Sequence, residues 1–274
     1  MDINDLIKSA ARFLEESELN YISKEIAISE DVVGLKIFNE PIFGVSSVDD
    51  DYYNFLKNPS IIGDHFLLPK EWLPEAKSVI SFFLPFTEAV RASNRIDRLW
   101  TSDEWAHGYV HGQKLLIELS KFLTSQLIKG GYNSLIPYTD SKYWTQNMPK
   151  EDSLHPEVPF TSNWSERHVA FISGLGTFGL SKGIITEKGM AGRLSSIITE
   201  LSLPPTERKY SDILEYCTMC GSCIINCPPR AITMEDGKNH IRCSKYLNAI
   251  AKKFNSRRGC GKCQVSVPCE SRIP

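Results

Sequence analysis

The sequence predicts two unequal parts: a larger domain in which amphipathic helices pack with buried strands, and a small C-terminal domain organised by cysteine. Three observations predict it. Apolar residues recur at helical spacing over 4–17 and again over 103–129. The segment Ser78–Leu84 is almost continuously apolar, as a strand buried on both faces is. All eight cysteines fall between Cys217 and Cys269, and none precedes them. A chain of 274 residues is long enough for one large core and a small second domain.

Taken in order, Leu6, Ile7, Ala10, Phe13 and Leu14 fall on one face of the first helix, which reads as a packing helix. Ser47–Asp64 is acidic and aromatic and reads as a loop with a short helix. A Pro-punctuated segment then leads into the strand Ser78–Leu84. Trp105, Val110, Leu115, Leu116, Leu119, Phe122, Leu123 and Leu127 line a long core helix that stops at Gly130-Gly131. The stretch Thr139–Trp164 is polar and aromatic, carries three prolines, and is too long for an ordinary connector, so it reads as lining a site. A helix is expected over Ser165–Ser173 and a strand over Leu194–Thr199. The polar, Pro-containing segment near 203–212 is the expected boundary, giving domains 1–205 and 206–274.

Composition excludes several classes. With 42% hydrophobic and 23% charged residues the chain is globular rather than disordered or fibrous. A net charge of −2 supplies no general basic field for nucleic acid. The N-terminus is acidic and amphipathic, unlike a secretory signal, and no twin-arginine signal is present. The longest apolar run, Val79–Phe86, is far short of the roughly 20 residues that span a bilayer. A cytoplasmic protein is therefore expected.

In that compartment a tight group of thiols reads as metal ligation rather than as a disulfide framework. Cys217, Cys220, Cys223 and Cys227-Pro228 spell C-x2-C-x2-C-x3-C-P, the run that bacterial ferredoxins use to hold a 4Fe-4S cluster. A zinc ribbon needs only two CxxC pairs and leaves the third cysteine and the Cys-Pro unexplained. Cys243, Cys260, Cys263 and Cys269 complete a second set of four. Eight thiols suffice for two cubanes; one cluster plus a structural zinc is the alternative. By analogy with two-cluster ferredoxins, one cluster takes Cys217, Cys220, Cys223 and Cys269, and the other Cys227, Cys243, Cys260 and Cys263.

Gly174-Leu175-Gly176-Thr177-Phe178-Gly179 fits G-x-G-x-x-G and has Glu200 further on, but the glycine-rich, β-branched sequence after it does not open the helix that a dinucleotide site requires. The segment reads instead as a glycine loop that lets another flat or bulky ligand approach backbone amides.

The run from Ser165-Glu166-Arg167 through Gly174, Gly176 and Gly179, then Gly189 and Arg193, then the cysteine set with Cys243-Ser-Lys-Tyr246-Leu, resembles the epoxyqueuosine reductase family and its reductive dehalogenase relatives. Tyr109-Val-His111 and the SVISFFLPF strand are similar to its N-terminal region. The resemblance implies an α+β protein: a nitroreductase-like domain binding base-off cobalamin, followed by a ferredoxin-like domain with two 4Fe-4S clusters. It implies a low-potential electron donor such as ferredoxin or flavodoxin, and a small organic substrate. The chain departs from members acting on epoxyqueuosine. Asp140-Ser141 keeps an Asp-Ser pair, but Lys142-Tyr143 replaces the expected proline spacing, and the sequence stops at Pro274 without a helical-repeat tail. These departures argue against tRNA as substrate.

On that resemblance, Gly174, Leu175, Gly176, Gly179, Ser181, Lys182 and Arg193 are the candidates to hold the corrinoid. Asp140 leads as proton donor, with Tyr143, His155, Glu157 and His168 as further candidates. Glu166 and Arg167 read as a structural ion pair or cap. The basic run 252–258 reads as a solvated face or as a dock for an acidic electron donor. Two other readings stay open: a flavin in the same pocket, or a non-enzymatic electron-transfer or corrinoid-activating protein.

Overall fold

The computed structural model describes residues 1–147 and 160–274. The elements in chain order are α1 (Ile3–Glu16), β1 (Ile42–Ser47), α2 (Asp51–Leu56), α3 (Pro69–Trp72), β2 (Ser78–Pro85), α4 (Glu88–Ile96), α5 (Asp103–Lys129), β3 (Ser134–Leu135), β4 (Thr145–Asn147), β5 (Phe160–Ser162), α6 (Glu166–Ile172), β6 (Gly176–Phe178), β7 (Ile184–Thr186) and β8 (Gly192–Thr199). The cysteine-bearing segment adds α7 (Ser222–Ile225), β9 (Ile232–Thr233), β10 (Gly237–Lys238) and α8 (His240–Lys253).

The central sheet is antiparallel, in the order β1-β2-β8-β3. β2 sits inside it, with Ile80 opposite Val45 on one side and Ile197 on the other. Its side chains alternate between two cores. Ile80, Phe82 and Leu84 join Val45, Ile197 and the apolar faces of α1 and α5. Val79 points to the opposite face, where Tyr53, Trp72, Trp164, Val169 and Ile198 pack. Helices cover both sides, so β2 is apolar at nearly every position and buried throughout. The fold is thus a mixed α/β one.

The helix limits follow from local chemistry. A capping box between Asp2 and Asp5 starts α1. The Ser102 hydroxyl accepts from Trp105 N to start α5. At the other end of α5, Gly130 caps the helix, and Gly131 takes a φ of +90°, where a side chain would be strained. The G-x-G-x-x-G stretch leads into the β6–β7 hairpin and opens no helix. Residues 202–210 carry no helix or strand, yet they are tied to the sheet and α6. Leu203 N donates to Ser78 Oγ, Thr206 N to Val45 O, and Tyr210 Oη to Phe171 O. Among the described residues, no helix is long and apolar enough to cross a membrane.

Candidate functional site

The eight cysteines are free thiols that line two hollows. Cys217, Cys220, Cys223 and Cys269 surround the first, of about 360 Å3, together with Ile185, Met190 and Val267. Cys227, Cys243, Cys260 and Cys263 stand in the wall of the second, a cleft of about 2120 Å3 that is open to solvent. Left-handed backbone at Met219, Gly221, Gly259 and Gly261 bends the cysteine segments around these spaces. Gly261, at φ +67°, also lies flat on α5: a Cβ there would stand 2.1 Å from the Trp105 ring.

The thiols feel one another electrostatically within each group. Burial, reinforced by Cys217, Cys223 and Cys220, pushes Cys269 up to about 12. Burial likewise pushes Cys260 up to about 12, with Cys263 and Cys243 adding to the shift. Cys223 is pushed up to about 11 by burial and, next, by Cys263 of the other group, so the two hollows adjoin there. Thiols held up in this way stay protonated near neutral pH and would ionise readily only with a positive centre among them. Cys220 is the exception: it is exposed, and the Ser222 hydroxyl lowers it. Among the described residues, no three His, Cys, Asp or Glu side chains converge as they would around a single metal ion.

Helices α4 and α5 hold the ligand segments in place. Asn94 donates its amide to Cys260 O at 3.1 Å and accepts at Oδ1 from the buried Lys262 Nζ at 2.9 Å. Glu270, next to Cys269, is buried against the guanidinium of Arg95 and accepts from Ser266 N at 2.7 Å. No spacing signal in the sequence marks Asn94, Lys262, Arg95 or Glu270; these partners are brought together only by the fold.

Across the cleft from the second thiol group stand Tyr109 and Gln113 of α5, Arg193 and Ser195 of β8, and Tyr143. The Arg193 guanidinium lies 4.4 Å over the Tyr109 ring and donates Nη2–H to Gln113 Oε1, while its buried Nε has no partner. Glu166 and Arg167, at the start of α6, also line the cleft. Both carboxylate oxygens of Glu166 are shut off from solvent without a hydrogen-bond partner. Burial pushes this carboxyl up to about 7, opposed by the nearby Ser196 hydroxyl. The expected ion pair or cap is corrected here: Ser165 holds the cap position, and Glu166 pairs with no cation among the described residues.

The other candidates scatter. Of the acids and tyrosine proposed, Tyr143 lines the cleft; burial, with the charge of Glu166 next, pushes its phenol up to about 12. Asp140 stands outside the cleft wall, closing a turn in which its Oδ1 accepts from Lys142 N at 2.8 Å. His168 bonds Ser165 Oγ at 2.7 Å, and burial holds it down to about 4. His155 and Glu157 lie outside the described residues.

Of the seven positions expected to hold a corrinoid, Arg193 lines the cleft. Leu175 is buried in the core; Gly174 packs on Thr206, and Gly176 on the backbone of Ile185. Gly179 and Ser181 line the first thiol hollow, and Lys182 occupies the turn between β6 and β7.

No family model matches the sequence. Among curated proteins, the tetrachloroethene reductive dehalogenase of Desulfitobacterium hafniense is 34% identical over 91 residues, covering 32% of this chain and 16% of that protein. The enzyme of the same name from Dehalobacter restrictus matches to the same extent. The shared stretch is thus about a sixth of the length of those relatives. Among solved structures, epoxyqueuosine reductase from Streptococcus thermophilus has a TM-score of 0.55 at 16% identity, covering 100% of this chain and 68% of that one. Another, selenomethionine-labelled epoxyqueuosine reductase has a TM-score of 0.52 at 18% identity, covering 97% and 65%. A catabolic reductive dehalogenase has a TM-score of 0.51 at 13% identity, covering 85% and 30%. The chain therefore has the fold seen in epoxyqueuosine reductases and reductive dehalogenases, and the proteins it is similar to are reductases.

Proposed function

We propose that this chain is an iron–sulfur reductase in which two 4Fe-4S clusters pass single electrons to a cobalamin seated in the cleft, and on to a small organic substrate. The observation that carries the reading is the division of eight thiols, four around a small hollow and four in the wall of the cleft itself. In this reading residues 206–274 form the ferredoxin-like part and residues 1–205 the nitroreductase-like part. The thiol sets match the ligand exchange of a two-cluster module.

The cleft suits a corrinoid in chemistry, through the unpartnered Nε–H of Arg193 beside Tyr109 and Gln113. These three side chains would hold its edge. What a cobalamin supplies when bound is a redox-active cobalt able to pass two electrons to carbon. The protein's part is to seat that group against Cys227, Cys243, Cys260 and Cys263, to admit substrate through the open side, and to provide a proton. A low-potential one-electron protein of ferredoxin or flavodoxin type would deliver electrons at the first hollow, where Cys220 is exposed. Net charge −2 favours a small molecule over tRNA as substrate.

Two measurements test the proposal on anaerobically reconstituted protein. Iron and sulfide analysis should return about eight of each per chain; about four irons with one zinc would reject the second cluster. The EPR spectrum of added cob(II)alamin should lose the signature of its lower nitrogen ligand and couple magnetically to the reduced clusters. An unchanged free-cobalamin spectrum would reject the corrinoid, and a bound yellow cofactor would replace it by a flavin.

A further inference from the structure

We infer that Arg167 anchors the substrate by its acidic group, so that the cleft takes small organic anions, carboxylates above all, in preference to neutral molecules of the same shape. This rests on the reductase reading above and names the class of substrate within it.

The cleft wall is almost free of negative side chains. Among the described residues it carries Arg167, Arg193, Lys238, Arg258 and Lys262 against a single acid, Glu166. Glu166 offers the cleft little, since both of its oxygens are closed to solvent. Arg167, the next residue, is turned away from it, because successive residues of a helix are rotated by roughly 100°. The Glu166 carboxyl enters the interior near Tyr53 and Ser196, and Arg167 is exposed to the cleft.

The other cations of the wall are engaged. Lys262 Nζ donates to Asn94 O at 2.6 Å and to Asn94 Oδ1 at 2.9 Å. Arg258 Nη2 donates to Asn248 Oδ1 at 2.6 Å, and Arg193 Nη2 to Gln113 Oε1. Lys238 stands beside Cys227 and Cys243, where it offsets the charge of the second thiol group. Arg167 makes no hydrogen bond or ion pair with any described residue. The titratable groups that reach it are, in descending order, Tyr109, Arg193, Cys263 and Cys243. A second guanidinium thus weighs on it more than either thiol does. Two like charges in a partly enclosed cleft repel, and an anion bound at Arg167 relieves that repulsion.

A guanidinium presents parallel N–H donors that match the two oxygens of a planar carboxylate. Tyr143 lines the same cleft, and burial first, then the charge of Glu166, pushes its phenol up to about 12, so it stays a neutral donor. Phe83, Phe86, Trp105 and Leu194 supply an apolar wall for the rest of the molecule. The combination fits a ring-bearing carboxylate. A corrinoid brings an anion of its own, the phosphate of its nucleotide tail, which cobinamide lacks.

The test uses cluster-loaded protein, with and without cobalamin, and follows binding of 4-(trifluoromethyl)benzoate and of the matching neutral 4-(trifluoromethyl)benzamide by fluorine NMR at pH 7. The wild type should bind the acid on the order of tenfold or more tightly than the amide, and added salt should narrow the margin. Arg167→Gln should bind the two alike with unchanged iron content, and Arg167→Lys should recover part of the preference. Equal affinities in the wild type, no binding of the acid, or an Arg167→Gln protein that keeps the preference would each overturn the assignment. So would two other results that leave the acid-over-amide margin intact in Arg167→Gln. Weakened binding of cobalamin but not of cobinamide would give the guanidinium to the corrinoid phosphate, and a shift confined to the cluster reduction potentials would make it a counter-charge of the thiol group. The binding readout needs no turnover, so an unchanged free-cobalamin spectrum rejects the corrinoid reading and leaves an Arg167-dependent acid preference standing.

Discussion

Glu270 ties the end of the chain to α4 through one buried carboxylate. Its side chain is 8% exposed and faces Arg95, whereas Glu88, which also meets Arg95, is 62% exposed. Removing the buried carboxylate also leaves Ser266 N without its acceptor, while removing an exposed one changes little. Glu270→Ala should therefore destabilise the protein by about 1–2 kcal/mol and speed the loss of iron to a chelator, because Cys269 is its neighbour. Glu88→Ala should cost less than about 1 kcal/mol and leave iron retention unchanged. Thermal unfolding and chelation rates of the two variants check the contrast. At this scale the sequence was readable for the thiols, whose spacing is a local pattern, and unreadable for Glu166 and Glu270. What singles out those two carboxyls is their surroundings: Tyr53, Tyr143 and Ser196 for Glu166, and Arg95 for Glu270, all distant along the chain.

Among the elements, α1, α5, β2 and β8 were legible because each carries enough apolar residues to fix a period, and α5 spans Asp103–Lys129 with its stop at Gly130-Gly131. The pairs β4–β5, β6–β7 and β9–β10 were not, since two or three residues carry no period. β1 was missed because Gly44, Ser46 and Ser47 dilute its apolar signal; Gly44 is needed where Ser173 O passes 2.2 Å from any Cβ. The Gly259-Cys260-Gly261 loop follows the same logic of close approach. Gly261→Ala would drive a methyl into Trp105 at a φ that alanine resists. The expected outcome is displacement of Cys260 and Cys263, with iron falling from about eight to about four per chain, while the α5 core stays folded by circular dichroism. Retention of all the iron would mean that Trp105 can yield.

For the whole molecule, the buried carboxyl of Glu166 makes stability depend on pH in a direction that can be worked out. Its folded value, about 7, lies above the ordinary 4.5. Below pH 4.5 it is neutral in both states and has no effect. Between 4.5 and 7 the unfolded chain gives up a proton that the folded protein retains, so stability falls as pH rises. Above about 7 both states are charged and the full burial penalty stands, about 3 kcal/mol from the size of the shift. Glutamine has the same shape and never charges. Glu166→Gln should therefore match the wild type near pH 4.5 and exceed it progressively up to pH 8, with every other titrating group cancelling in the comparison. Paired thermal unfolding of cluster-loaded wild type and variant at pH 5, 6, 7 and 8 reads the difference directly. A difference that is flat with pH would mean that the carboxyl titrates in its ordinary range. A widening one would mean that the fold gives up alkaline stability to bury this carboxyl, a local conflict that ordinary packing would not select.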